Sequence, residues 1–127
     1  MPAPIPFQAI NVVVGTSLTK LLELPLAGLD GNISFELFSA AGSATTNNFS
    51  ILRRLHDSGR WLNYLSGSDF TTATSKYTPS IPGPQALSAG QSAWVDVDCG
   101  AAIGVQLWAS VASGTATLTV YGGARLR

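Results

Sequence analysis

The chain has 127 residues, enough for one domain with a hydrophobic core, and seven basic side chains balance seven acidic ones. A formal net charge of zero gives no overall field to attract nucleic acid or an anionic membrane. The single cysteine excludes an intrachain disulfide and a multi-cysteine metal cage, and it is predicted to be a buried, inert thiol.

The first residues predict an extended N-terminal arm over residues 1–8. Prolines at positions 2, 4 and 6 fix φ and remove amide donors, which favours an extended backbone. Pro4, Ile5 and Phe7 are the predicted anchors of this arm on a neighbouring subunit, and a frayed terminus is the other interpretation. No basic region precedes the apolar run at 9–14 and no apolar stretch reaches membrane-spanning length, so neither a secretory signal nor a membrane contact is expected.

Residues 9–127 are predicted to form one β-sandwich domain. The β-branched run at 9–14 indicates a strand buried on both faces or covered by a partner. Residues 18–29 predict an extended run with Pro25 at an edge or bulge, because proline breaks a helix interior. Asp30-Gly31 predicts a tight turn before a strand at 32–39.

The middle of the chain predicts one hairpin and one long loop. Strands at 49–56 and 61–65 flank the turn residues 57–60. Residues 66–90 are rich in Ser, Thr, Gly and Pro, and a loop of that length is usually functional or bound to a partner. Ile81, within this loop, is a predicted interface residue.

The last third contains three runs with a period of two, at 94–99, 105–111 and 115–121. Each has one aliphatic face and one polar face, the pattern of antiparallel sheet with one side on a core. Residues 112–114 predict a hairpin and residues 99–101 a second turn. About eight strands with uneven connections indicate an all-β, antiparallel, jelly-roll-like sandwich.

Three large aromatics occupy the polar faces of these runs, namely Trp94, Trp108 and Tyr121. If their strands are neighbours, the three share one outward sheet surface. Large exposed aromatics are enriched at interfaces, so a subunit contact is one interpretation. A cover formed by the chain's own loop or arm, and a platform for stacking sugars, are the other two.

The residues that offer chemistry do not predict an active site. His56, Asp57 and Ser58 are the residue types of a hydrolase triad, but neighbours on a tight turn diverge instead of converging. Asp96 and Asp98 share a strand face and can bind a cation or act as acid and base, yet solvated or partner-paired carboxylates are the favoured interpretation. We therefore expect a protein that is not an enzyme and that has no catalytic residue, cofactor or metal site.

Two segments resemble small jelly-roll proteins of tailed-phage virions. These are the C-terminal run WVDV (94–97) with SGTATLTVYGGAR (113–125), and the turn and strand DSGRWL (57–62). The resemblance implies a capsid decoration, or cement, protein that binds the outer surface of a phage head at junctions between major capsid proteins. It also implies a homotrimer or dimer, assembled in the host cytoplasm and located on the virion exterior. A receptor- or glycan-binding module of a phage spike or fibre is the alternative.

Overall fold

The computed structural model describes residues 5–42, 46–66, 77–79, 87–90 and 92–126. Within these ranges the secondary structure consists of β-strands, and no helix is present that is long and apolar enough to cross a membrane. The strands are β1 (Ile5–Val14), β2 (Thr19–Pro25), β3 (Leu29–Gly42), β4 (Thr46–Arg54), β5 (Leu62–Ser66), β6 (Tyr77–Pro79), β7 (Ser92–Asp98), β8 (Gly104–Val111) and β9 (Ala116–Leu126).

The strands form two antiparallel sheets. Sheet A has the order β1-β9-β3-β7-β6 and sheet B the order β2-β8-β4-β5. From β1 to β4, and again from β7 to β9, each strand lies in the opposite sheet from the one before it. Apart from the three-residue β6, this gives two sheets of four strands with the connectivity of a jelly roll. The predicted all-β antiparallel sandwich is confirmed.

The core lies between the two sheets, where alternate residues of the central strands point inward. Along β3 the inward positions are almost completely buried, and along β8 the inward positions 105, 107, 109 and 111 are buried as well. Removing these aliphatic and aromatic surfaces from water is the main stabilising contribution. The largest fully buried side chains are Phe35, Phe49, Ile33, Leu37, Ile51, Leu87, Leu107, Leu118 and Val14.

The single cysteine lies in this core. Cys99 is completely buried and is a free thiol, as predicted. Burial in an apolar environment disfavours the thiolate and raises the pKa of Cys99 to about 12. The side chain is therefore a small apolar core group at neutral pH.

Two of the predicted turns are corrected by the sheet topology. Residues 112–114 do not close a hairpin, because β8 lies in sheet B and β9 in sheet A. Asp30 and Gly31 lie inside β3, and the turn falls earlier, at Ala27 and Gly28, where Gly28 has a φ of 77°. Residues 100–101 do form a turn, but the chain crosses there from sheet A to sheet B. Alternation shows which face of a strand is inward and does not show which sheet it joins.

Other local predictions are confirmed. Strands β4 and β5 pair directly around the turn at 57–60. Pro25 is the last residue of β2, an edge strand, where its missing amide removes no ladder hydrogen bond.

The N-terminal boundary lies earlier than predicted. Residues 5–8 belong to β1 and pair with residues 121–124 of β9, so they are part of the sandwich and do not form a separate arm. Met1–Pro4 lie outside the described residues. The arm therefore remains a prediction for those four residues.

Candidate interaction surface

The outward face of sheet A has Tyr121 near its centre. The register places Tyr121 of β9 between Gln8 of β1 and Glu36 of β3. Tyr121 is 45% exposed, and Gln8 and Glu36 are exposed beside it. The backbone of Trp94 pairs with that of Glu36 on the far side. These strands bring positions 121 and 94 into one row of the sheet.

Two shallow depressions border Tyr121. One, of about 380 Å³, extends over Gly122 and Gly123 and is lined by Ser34, Glu36 and Asp96. The other, of about 410 Å³, lies on the β1 side and is lined by Pro6, Phe7 and Gln8. The tyrosine side chain thus stands between two open spaces, and Gly123, the next residue of β9 on the same face, adds no side chain beside it.

A third depression continues from the first toward the end of the sheet. It measures about 500 Å³ and shares Ser34, Asp96 and Gly123 with the first. We call the two joined spaces the Gly123 depression. The remaining residues that line its far end are Asp30, Asn32, Ala124 and Arg125.

The polar groups of the Gly123 depression are partly held in place by one another. The Ser34 hydroxyl donates to Asp96 Oδ1 at 2.6 Å. The Asn32 side-chain amide donates to Asp30 Oδ1 at 3.1 Å, and the Asn32 backbone amide donates to the same oxygen at 3.2 Å. Each carboxylate keeps lone pairs for further donors, since it can accept about four hydrogen bonds. The depression therefore offers oriented acceptors together with amide and hydroxyl groups.

An apolar surface lies on the same side of the molecule, along the edge of sheet A. Ile10 is 52% exposed, Val13 is 61% exposed, and Leu18 in the loop after β1 is 50% exposed. We call these three residues the β1 patch. The run at 9–14 is not buried on both faces, since only Val14 among these six is fully buried. The other predicted possibility, a strand covered by a partner, stays a prediction.

The edge that carries the β1 patch is poorly suited to pairing with another strand. A bulge interrupts β1 between Ala9 and Val12, and Asn11 in the bulge has a φ of 54°. The Asn11 amide donates to Thr119 Oγ1 at 3.2 Å instead of pointing outward. Pro6 removes a further amide from the same strand. Bulges and prolines are common means of protecting an edge from strand addition, so contacts at β1 are expected to use side chains.

Trp108 lies on the other sheet, away from Tyr121. Strand β8 is in sheet B, so the three aromatics do not share one surface, and the predicted common platform is corrected. Trp108 is half-buried, and its indole Nε1 donates to Gln106 Oε1 at 2.9 Å. Gln106 Nε2 in turn donates to Glu23 Oε1 at 2.6 Å, which lowers the pKa of Glu23. Trp108 thus belongs to a hydrogen-bonded row across sheet B.

A cation–aromatic pair and two hydrogen bonds lie at the end of the sandwich near the β4–β5 turn. The Arg53 guanidinium lies 3.9 Å from the centre of the Tyr64 ring and donates to the Cys99 carbonyl at 3.2 Å. The Tyr64 hydroxyl donates to the Asp98 carbonyl at 2.7 Å. These bonds connect sheet B to the chain where it leaves sheet A.

The other predicted interface residues have different positions. Phe7 is half-buried and packs on the core, with its ring edge-on to Phe35 at a centroid distance of 5.6 Å, so it does not anchor a reaching arm. Pro4 and Ile81 lie outside the described residues. For Ile5 and Trp94 only the backbone pairing is described.

The residues considered for catalysis take part in local structure. His56 Nδ1 accepts the Ser58 backbone amide at 3.1 Å within the exposed β4–β5 turn. Asp98 Oδ1 accepts the Gly100 amide at 2.9 Å and supports the next turn. In the described part of the chain, no three His, Cys, Asp or Glu residues are grouped so that they could hold a metal ion.

The comparisons with known proteins agree with the fold. No protein-family model matches the chain, and no curated protein matches it. Among solved structures, it is similar to the crystal structure of the SPBc2 prophage-derived protein YomS. The similarity covers 98% of this chain and 96% of that one, with a TM-score of 0.53 and 10% sequence identity. At that identity the similarity shows a shared fold and nothing further.

Proposed function

We propose that this chain is a structural protein of a phage virion, and specifically a decoration protein that binds the outer surface of the head at junctions between major capsid proteins. The observation that carries the proposal is the β1 patch, three large aliphatic side chains at least half exposed on one edge of the sandwich. Adjacent exposed apolar groups mark interaction sites on soluble proteins. The fold likeness to a prophage-derived protein supports a phage origin.

The proposed mechanism is side-chain docking of the β1 patch on the major capsid protein. Apolar area buried there would contribute roughly 25 cal/mol per Å², offset by the cost of association. Because a capsid presents many equivalent junctions, a symmetric oligomer gains avidity from modest individual contacts. The bulge and the proline in β1 direct this contact toward the side chains and away from uncontrolled strand addition.

The oligomer in this proposal is the homotrimer that the sequence resemblance implies, located on the virion exterior after assembly in the host cytoplasm. Met1–Pro4 directly precede β1, so they are the part of the predicted arm still available to reach a neighbouring subunit. Light scattering after size exclusion should give three times the chain mass of 13.2 kDa. A variant lacking residues 1–4 should give a smaller species, and a monomer for the full chain would contradict the trimer.

The capsid contact is tested separately with heads of the phage or prophage whose genome encodes the chain. The full chain should sediment with the heads and leave the supernatant. Ile10→Thr with Val13→Thr should weaken this binding at least about tenfold, since two central apolar contacts are lost while β-branched shape is kept. Leu62→Thr is the matched control, because Leu62 is 63% exposed on β5 of the other sheet. Equal binding by both variants would refute the role of the β1 patch.

A further inference from the structure

The Gly123 depression has the features of a small-ligand site that the proposed capsid contact does not use. It lies on the outward face of sheet A, whereas the β1 patch lies at the sheet's edge. Its larger part, about 500 Å³, falls within the size range of ligand pockets. The exposed Tyr121 lines its smaller part, and the polar side chains of Asp30, Asn32 and Arg125 line the larger part.

We propose that the Gly123 depression binds a neutral pyranose sugar, with the ring stacked against Tyr121. A pyranose has an apolar face of C–H groups and an equatorial rim of hydroxyls, so it needs a flat aromatic surface next to hydrogen-bonding groups. Tyr121 supplies the amphipathic ring. Gly123, the next residue of β9 on the same outward face, keeps the space beside that ring free of a side chain.

The polar lining fits the hydroxyl rim of such a ligand. Asp96 and Glu36 border the same space as Tyr121, and their carboxylates accept hydrogen bonds from hydroxyls. Ser34 holds one oxygen of Asp96 at 2.6 Å, which fixes the orientation of that carboxylate before a ligand arrives. Oriented acceptors reduce the ordering cost of binding.

The charges select against acidic ligands. Three carboxylates, on Asp30, Glu36 and Asp96, border the depression, against the single guanidinium of Arg125. An anionic sugar or a phosphate ester would meet net repulsion. The ligand class is therefore an uncharged sugar, and this inference is independent of the capsid proposal, since Ile10 and Val13 do not line the site.

The test is a titration of the full-length, isotope-labelled chain with methyl α-D-glucopyranoside, methyl α-D-galactopyranoside and methyl N-acetyl-β-D-glucosaminide, followed by amide chemical shifts. At least one should shift the amides of residues 121–125 with a dissociation constant on the order of 1 mM, as expected for a single shallowly bound ring. N-acetylneuraminic acid should cause no shift there. The proposal is overturned if none of the three pyranosides shifts these amides, or if the acidic sugar binds more tightly.

Variants separate stacking from hydrogen bonding. Tyr121→Ala should weaken binding about tenfold or more, whereas Tyr121→Phe should keep most of it because the ring remains. Asp96→Asn should also weaken binding, with Asp57→Asn in the exposed β4–β5 turn as the carboxylate control. Tyr121→Phe and Asp96→Asn keep the shape of exposed side chains and should keep the wild-type melting temperature. Tyr121→Ala should lower it by only a few degrees, about the cost of losing an aromatic residue from a strand, and should stay folded in the titration. Unchanged affinity in both Tyr121→Ala and Asp96→Asn would overturn the assignment.

Discussion

Gly122 is the position at which one added methyl group should most directly disturb the docking of β1 on sheet A. Gly122 pairs with Phe7 on one side and with Phe35 on the other. A Cβ at position 122 would overlap the Phe7 ring and would lie 2.6 Å from the Ser34 carbonyl oxygen. The Ser34 oxygen belongs to the backbone of the adjacent strand and cannot easily give way, and the half-buried Phe7 ring can move only by losing part of its packing on the core.

The expected cost of Gly122→Ala is that of overpacking, about 1–3 kcal/mol in the free energy of unfolding. Phe7→Ala should cost about 1.5–3 kcal/mol, since the ring is partly buried and also loses its edge-on contact with Phe35. In the double variant the ring overlap is absent, although the contact with the Ser34 oxygen remains. The combined loss should therefore fall short of the sum by about 1 kcal/mol.

Urea unfolding of the wild type, the two single variants and the double variant measures these losses in the free energy of unfolding. The comparison holds if the dependence of that free energy on urea concentration is the same in all four proteins. Gly15→Ala is the control, because a Cβ there meets nothing within 4 Å, and it should change stability by less than about 0.5 kcal/mol. If Gly122→Ala and Phe7→Ala were additive within about 0.5 kcal/mol, Phe7 would not pack over Gly122, and the placement of β1 beside the Gly123 depression would be refuted.

Three further predictions concern the end of the sandwich. Stability should fall as pH rises from about 9 toward 12, because the unfolded chain loses the Cys99 proton first, and Cys99→Ala should flatten this slope in urea midpoints measured across that range. Tyr64→Phe should cost about 0.5–1.5 kcal/mol through the lost bond to the Asp98 carbonyl; no loss in thermal unfolding would show that this bond does not hold the sheets together. Gly31→Ala should cost about 1–3 kcal/mol by denaturant unfolding, since its Cβ would overlap the Gly100 backbone, and a neutral result would contradict that close approach.

The fold class was predictable because it depends on local signals. Alternation in the last third identified the inward faces correctly, as the complete burial of Val105, Leu107 and Val120 shows. The turn at 57–60 was predictable because both of its strands lie in one sheet and pair with each other. These are properties of short windows, and short windows are what period and turn chemistry describe.

The candidate site was less predictable because it depends on which strands are neighbours. Trp108 and Tyr121 have the same sequence pattern, yet a four-residue connection sends their strands to opposite sheets. The Gly123 depression combines β3, β7 and β9, whose adjacency no local pattern encodes. Ile10 and Val13 were placed in a strand, but their exposure follows from the edge position of β1 and the bulge within it.

The pairing of the first described strand with the last has a consequence for how this chain folds during synthesis. Strand β9 lies between β1 and β3 in sheet A, so both of these earlier strands reach their main partner only after residues 116–126 have left the ribosome. Until then β1 has no neighbouring strand in sheet A and β3 has only β7, and such incompletely paired strands are prone to aggregate. Native assembly should therefore be comparatively slow, since the contacts that close sheet A join strands far apart in sequence, β1 with β9 and β3 with β9. A nascent chain stalled before β9 should remain sensitive to protease throughout.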